Sequence, residues 1–69
     1  MFDDEVIVLL RRNSDVIEIQ SEKMAQAARA ILDALQPRSK NRVLNNIIIM
    51  KQCLRKITEE FEEIKFLVD

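Results

Sequence analysis

The chain has 69 residues, with 11 basic and 12 acidic side chains and a formal charge of -1. A chain this short forms one domain at most and buries only about 60% of the surface that its unfolded form exposes. The near-neutral charge argues against a broad basic surface for nucleic acid and against a disordered acidic tail, so only local patches of charge can matter.

The residue types that build catalytic and metal sites are scarce. Histidine, glycine, tyrosine and tryptophan are absent, and Cys53 is the one cysteine. The thiol therefore has no histidine as a general base or as a second zinc ligand, and no glycine-rich loop can cradle a phosphate. A lone thiol is typical of a reducing compartment, where it acts as a small apolar core residue. We predict a non-enzymatic protein with no cofactor and no metal.

The start of the chain, Asp3-Asp4-Glu5, is acidic where a signal peptide would be basic. No apolar run approaches the roughly 18 residues of a membrane span. We therefore expect a soluble intracellular protein, cytoplasmic or nuclear, with no membrane partner.

The first half of the chain predicts one long helix over about residues 3–36, capped by Asp3 or Asp4. Lack of glycine and a single proline favour such uninterrupted helices. A repeat at intervals of three and four gives this helix an apolar seam that includes two serines. The predicted seam is Ile7, Leu10, Ser14, Ile17, Ser21, Met24, Ala28, Ile31 and Leu35.

Residues 5–20 also allow a β-hairpin followed by two helices. Residues 5–10 are rich in β-branched side chains, residues 17–20 alternate apolar and polar, and Ser21 would then cap a shorter helix. A break at Ser14 is a further alternative, because Asp15 followed by Glu18 resembles a capping box. We favour the continuous helix, because an isolated two-stranded hairpin is marginal in water and its turn would lack glycine.

Pro37 divides the chain nearly in half and predicts a turn, because proline disfavours helical geometry in the residue before it. Ser39 or Asn41 can cap the helix that follows. Cations in this turn favour the C-terminus of the first helix and keep the loop soluble. Alternatively, together with the free amide groups of the second helix, they form a candidate anion-binding site. These cations are Arg38, Lys40 and Arg42.

The second half predicts a helix over about residues 39–68 with a continuous apolar seam, the pattern of coiled coils and helical bundles. Its members are Val43, Ile47, Met50, Leu54, Ile57, Phe61, Ile64 and Val68. Two helices of similar length joined by a short turn predict an all-α antiparallel helical hairpin.

Many large apolar residues lie off both predicted seams and need another surface to cover them. Two hairpins in a four-helix bundle, or one hairpin in a larger helical complex, would bury them. A three-element fold with no partner is the alternative, but the chain has no third element large enough to cover them. The candidate partner-binding residues are Val8, Leu9, Ile48, Ile49, Phe66 and Leu67.

These patterns indicate a non-enzymatic oligomerisation or adaptor subunit, and we expect an oligomer whose partner is a protein, either another copy or a different helical chain. The alternative is a small regulator that binds nucleic acid or an anionic protein surface through the basic turn. Nucleic acid is the less favoured partner, because no aromatic residues alternate with the cations to stack on bases.

Overall fold

A computed structural model describes residues 3–69 as two helices joined by a short turn. Helix α1 spans Asp4–Leu35 and helix α2 spans Lys40–Val68. They pack side by side in opposite directions, giving a rod with extents of 53 × 14 × 11 Å. The all-α hairpin and the bounds of both helices are thus confirmed to within one residue.

Both helices begin at residues whose side chains satisfy free backbone amides. The Asp3 carboxylate accepts the amide N–H of Val6 at 2.9 Å, and the Ser39 hydroxyl accepts that of Arg42 at 3.4 Å. Each side chain thereby replaces a backbone acceptor that the first turn of a helix lacks. Of the predicted alternatives, Asp3 and Ser39 are therefore the capping residues.

Residues 5–20 are helical throughout, so the alternative with an N-terminal β-hairpin is not supported. The break considered at Ser14 is also absent, because α1 runs through it without interruption. A helix satisfies its own backbone hydrogen bonds, whereas a lone strand pair leaves one edge of each strand open. It also places Leu10 and Ile17 half-buried in the interhelix contact.

The contact between the helices is a seam whose residues recur at alternating intervals of four and three, as in a coiled coil. Every member is buried or half-buried. On α1 the interhelix seam is Val6, Leu10, Asn13, Ile17, Gln20, Met24, Ala27, Ile31 and Ala34. On α2 and its capping residue it is Ser39, Val43, Asn46, Met50, Cys53, Ile57, Glu60, Ile64 and Leu67.

Only every second member of each predicted seam lies in this interhelix seam. The apolar positions represented by Leu10, Ile17, Met50 and Ile57 are confirmed. The members between them are wrong by one residue, so that Cys53 occupies the position predicted for Leu54. On α2, a prediction that maximises hydrophobicity selects Ile47, Leu54 and Phe61. The residues between the helices are instead their less hydrophobic neighbours Asn46, Cys53 and Glu60.

The turn ends α1 with a pair of backbone hydrogen bonds typical of a Schellman motif. The amide of Ser39 donates to the carbonyl of Ala34 at 3.0 Å, and the amide of Arg38 donates to that of Leu35 at 3.2 Å. Arg38 has a φ of 54°, in the left-handed region that the motif requires. A side chain with a Cβ atom is strained in this conformation, and glycine is not.

We expect Arg38→Gly to raise the free energy of unfolding by about 1 kcal/mol, because it removes the Cβ atom from a left-handed position. Arg38→Ala is the matched control, since it removes the same charge and keeps the Cβ atom. Urea denaturation at equal protein concentration measures both. An equal gain in the two variants would show that charge rather than backbone strain limits the stability of the turn.

Candidate association surface

The apolar core of the hairpin is small. Among the described residues, the buried apolar side chains are Ala27, Ala34, Cys53 and Ile57, of which only isoleucine is large. The largest side chain that is fully buried belongs to Asn13. Burial of apolar area is the main favourable term in folding, so this hairpin uses little of the apolar material in its sequence.

Asn13 forms a buried polar contact with the opposite helix. Its Nδ2 amide donates a hydrogen bond to Oε2 of Glu60, while its Oδ1 atom is buried without a hydrogen-bond partner. An unsatisfied buried acceptor costs about 1 to 3 kcal/mol. A polar residue in such a seam fixes the register of the helices while lowering stability.

The register set by this bond makes half of the interhelix seam polar or small. Gln20 and Cys53 line one groove together, and Ala27 and Asn46 line another. Layers of this kind alternate along the rod with layers of larger apolar residues such as Ile17 and Ile57. Large apolar side chains therefore fill only about half of the hairpin interior.

Large apolar side chains lie instead on the surface of α2, at every seventh residue. Ile47 is 37% exposed, Leu54 53%, Phe61 54% and Val68 47%. Each follows a member of the interhelix seam by one residue, so all four lie on the same side of that seam. They form an apolar stripe about 30 Å long at a rise of 1.5 Å per residue.

Helix α1 contributes a matching row on the same side of the interhelix seam, because residues that follow the seam on two antiparallel helices flank it together. Ile7 and Leu35 at its two ends are exposed, and the three positions between them are small. We name the two rows the open face. It comprises Ile7, Ser14, Ser21, Ala28 and Leu35 of α1 with Ile47, Leu54, Phe61 and Val68 of α2.

The opposite side of the hairpin is more polar. Ile49 lies there in a groove that Lys23, Lys56 and Glu59 also line. Lys23, Ile49 and Lys56 each precede a seam residue, which places them across the interhelix seam from the open face. We name this side the charged face. The two sides of the rod thus differ sharply in charge.

The structure divides the six candidate partner-binding residues among different surroundings. Leu67 lies in the interhelix seam and is half-buried, and Leu9 is half-buried beside it. Phe66 is 84% exposed, Val8 66% and Ile48 54%, while Ile49 lies on the charged face. These side chains do not form one continuous stripe, in contrast to those of the open face.

The three candidate anion-binding residues are all exposed at the end of the rod that contains the turn. They are Arg38, Lys40 and Arg42. The amide of Arg42 already donates to the Ser39 hydroxyl, so one of the free amides considered for an anion has a partner within the chain. The turn therefore gathers three exposed positive charges at one end of the rod.

Residues 3–69 contain no group of three or more histidine, cysteine, aspartate or glutamate side chains placed to hold a metal ion. Neither helix of this part of the chain is long and apolar enough to cross a membrane. No protein-family model, curated protein or solved structure matches the chain. The function proposed below is therefore argued from the surface of the hairpin alone.

Sequence reasoning missed the polar members of the interhelix seam. Asn13, Gln20, Asn46 and Glu60 recur at seven-residue multiples on their own helices, beside apolar positions. A sequence pattern that allowed polar residues at every second seam position would have predicted the observed interhelix seam. Hydrophobicity alone could not, because each of these residues has an apolar or small neighbour one position later.

We expect Glu60→Ala to lower the free energy of unfolding by about 1 to 3 kcal/mol, because it leaves the buried Asn13 amide with no acceptor. Glu59→Ala is the matched control, since Glu59 is exposed. It should change stability by less than about 0.5 kcal/mol. Thermal or urea unfolding measures both variants. Equal effects would mean that the contact between Asn13 and Glu60 contributes nothing to the fold.

Proposed function

We propose that the chain is a non-enzymatic association module that binds other helices through its exposed apolar surface. It pairs with another copy in a four-helix bundle or joins a larger helical complex. The observation that carries this proposal is the distribution of side chains, with polar Asn13 and Gln20 buried while Leu54 and Phe61 are exposed.

The free energy available from covering this surface supports the proposal. Burying a large aliphatic or aromatic side chain contributes about 1.5 to 3 kcal/mol relative to leaving it in water. Stabilities of small domains are only about 5 to 15 kcal/mol, so a few such side chains matter greatly. Ile47, Leu54 and Phe61 are 37 to 54% exposed, so a partner that covers them would add part of this free energy at each of the three positions.

The apolar repeat on α2 also fits a bundle better than an isolated pair. A two-stranded coiled coil needs apolar residues at two positions in each heptad, whereas a helix in a bundle has a third apolar position beside them. On α2 that third position is filled by Ile47, Leu54, Phe61 and Val68. The third position gives each helix a second neighbour in a four-helix arrangement.

The basic turn supports a different function, in which the hairpin binds an anionic partner. Its three cations lie together at one tip of the rod and are exposed. The tip lacks aromatic side chains for stacking on bases, so the cations would recognise charge alone. The apolar stripe on α2 is about 30 Å long and supports the association function more strongly.

We expect the thermal midpoint of the chain to rise by about 5 °C or more for each tenfold increase in protein concentration, because association stabilises the folded form by mass action. Sedimentation equilibrium should show a mass of at least twice 8.1 kDa at the higher concentrations. A folded monomer with a midpoint independent of concentration would contradict self-association. A poorly folded monomer would indicate that the partner is a different chain.

Replacing Arg38, Lys40 and Arg42 by glutamine together should leave the oligomeric mass unchanged, because all three side chains are exposed at the tip of the rod. Binding of a short nucleic-acid duplex, measured across salt concentrations, provides the second readout. Salt-dependent binding that the triple variant loses would favour the regulatory function at the turn. Loss of the oligomer in the triple variant would place the association surface at the tip.

A further inference from the structure

The open face has large side chains on one helix and small side chains on the other, at matching heights along the rod. The register set by Asn13 and Glu60 places Ser14 level with Phe61 and Ser21 level with Leu54. It also places Ala28 level with Ile47, and Ile7 with Val68. One half of this face is therefore a ridge and the other half, over its three middle positions, a shallow groove.

We infer that the open face binds a second copy of this chain, related by a two-fold axis parallel to the helices. This inference rests on the proposed association function and names its partner and its geometry. The rotation exchanges the two halves of the face, so the large side chains of each α2 lie over the small side chains of the other α1. Both turns then lie at the same end of the bundle.

Self-complementarity is what selects a second copy as the partner. A two-fold interface uses the same patch on both subunits, so that patch must contain both a ridge and the groove that receives it. Here Phe61 and Leu54 form part of the ridge, and Ser14 and Ser21 form the groove opposite. Facing large with small residues fills the layer between helices without voids or overlap.

The size of the face is in the range of specific interfaces. The broad side of the rod measures 53 × 14 Å. Its projected area of about 700 Å², if wholly covered, is comparable with the area per partner in specific protein complexes. Charged residues such as Glu18 and Lys51 lie at the margins, one helical turn from the stripe. An apolar centre with a polar rim is typical of such interfaces.

Charge selects the open face over the charged face. None of its nine positions has a charged side chain. The charged face has Lys23, Lys56 and Glu63 at the positions that precede the interhelix seam, between apolar residues such as Ile49. A two-fold contact there would remove these charges from water, which is costly and favours the open face.

Ile47→Glu and Ile49→Glu form a matched pair that tests which face is used. The two isoleucines lie on opposite sides of the same helix and are 37% and 43% exposed. Ile47→Glu should raise the apparent dissociation constant of the dimer at least about a hundredfold, because it buries two carboxylates in the interface. Ile49→Glu should leave it within about threefold. Sedimentation equilibrium measures both, with circular dichroism recording helicity.

Ser21→Arg tests the same face without removing any apolar contact from the hairpin. The added side chain fills the groove that would receive Leu54 of the other copy, and it should dissociate the dimer while helicity is retained. Gln26→Arg adds the same charge on the opposite side of α1, where Gln26 lines a groove with Lys23 and Ile49. It should leave the dimer intact.

A spin label at Arg38→Cys, in a Cys53→Ala background, tests the orientation. Labels at the same end of a four-helix bundle should lie about 20 Å apart, since helices with side chains are 10–12 Å wide. Turns at opposite ends would separate the labels by a distance close to the 53 Å length of the rod. Distances measured by pulsed dipolar spectroscopy near 50 Å would overturn the parallel two-fold axis.

These outcomes separate the inference from the proposed function. A wild-type oligomer that Ile49→Glu dissociates and Ile47→Glu does not would overturn the open face as the interface while association itself stands. A wild-type chain that is a folded monomer at every concentration would overturn self-association, and this inference with it.

Discussion

The structure depends on the narrow contact between two long helices, which can bury only one stripe of each. In this chain the stripe contains Asn13, Gln20 and Glu60 at positions where a stable isolated hairpin would have aliphatic residues. The larger apolar side chains lie beside it and reach water. A pair of rods has no third layer that could cover them, so the apolar composition exceeds what this two-helix topology can bury.

Polar seam residues and exposed apolar residues are two aspects of one arrangement. If each helix packs against two neighbours, its apolar residues are divided between two contacts. The interhelix seam can then include polar residues, because it does not have to supply all of the apolar burial. The contact between Asn13 and Glu60 then favours the observed register, because a shift by one heptad would set Asn13 opposite Leu67 or Cys53 and remove its carboxylate acceptor. Specificity thus comes from the polar layers, and most of the stabilisation from the apolar ones.

The fold was largely predictable from the sequence, and the surface was predictable only in part. Pro37 and the lack of glycine specified two long helices, and Asp3 and Ser39 specified their beginnings. Periodicity gives the direction of the apolar moment of a helix, which for α2 points between Met50 and Leu54. Periodicity does not reveal which of these apolar residues contact the other helix and which lie on the surface, since this depends on how closely the two backbones approach. For this reason the predicted seams combined residues of the interhelix seam with residues of the open face.

The tight turn has a consequence for the order in which the molecule forms. Ala34, at 1% exposure, and the hydrogen bond from Ser39 to Ala34 lie beside the turn, so the first contacts between the helices join residues close in sequence. Closing such short loops costs little entropy, and each further contact extends an existing one. The chain can therefore assemble like a zipper from its tip towards its two termini. Asn13 and Glu60 are then matched late, after the contacts nearer the turn have restricted the possible alignments.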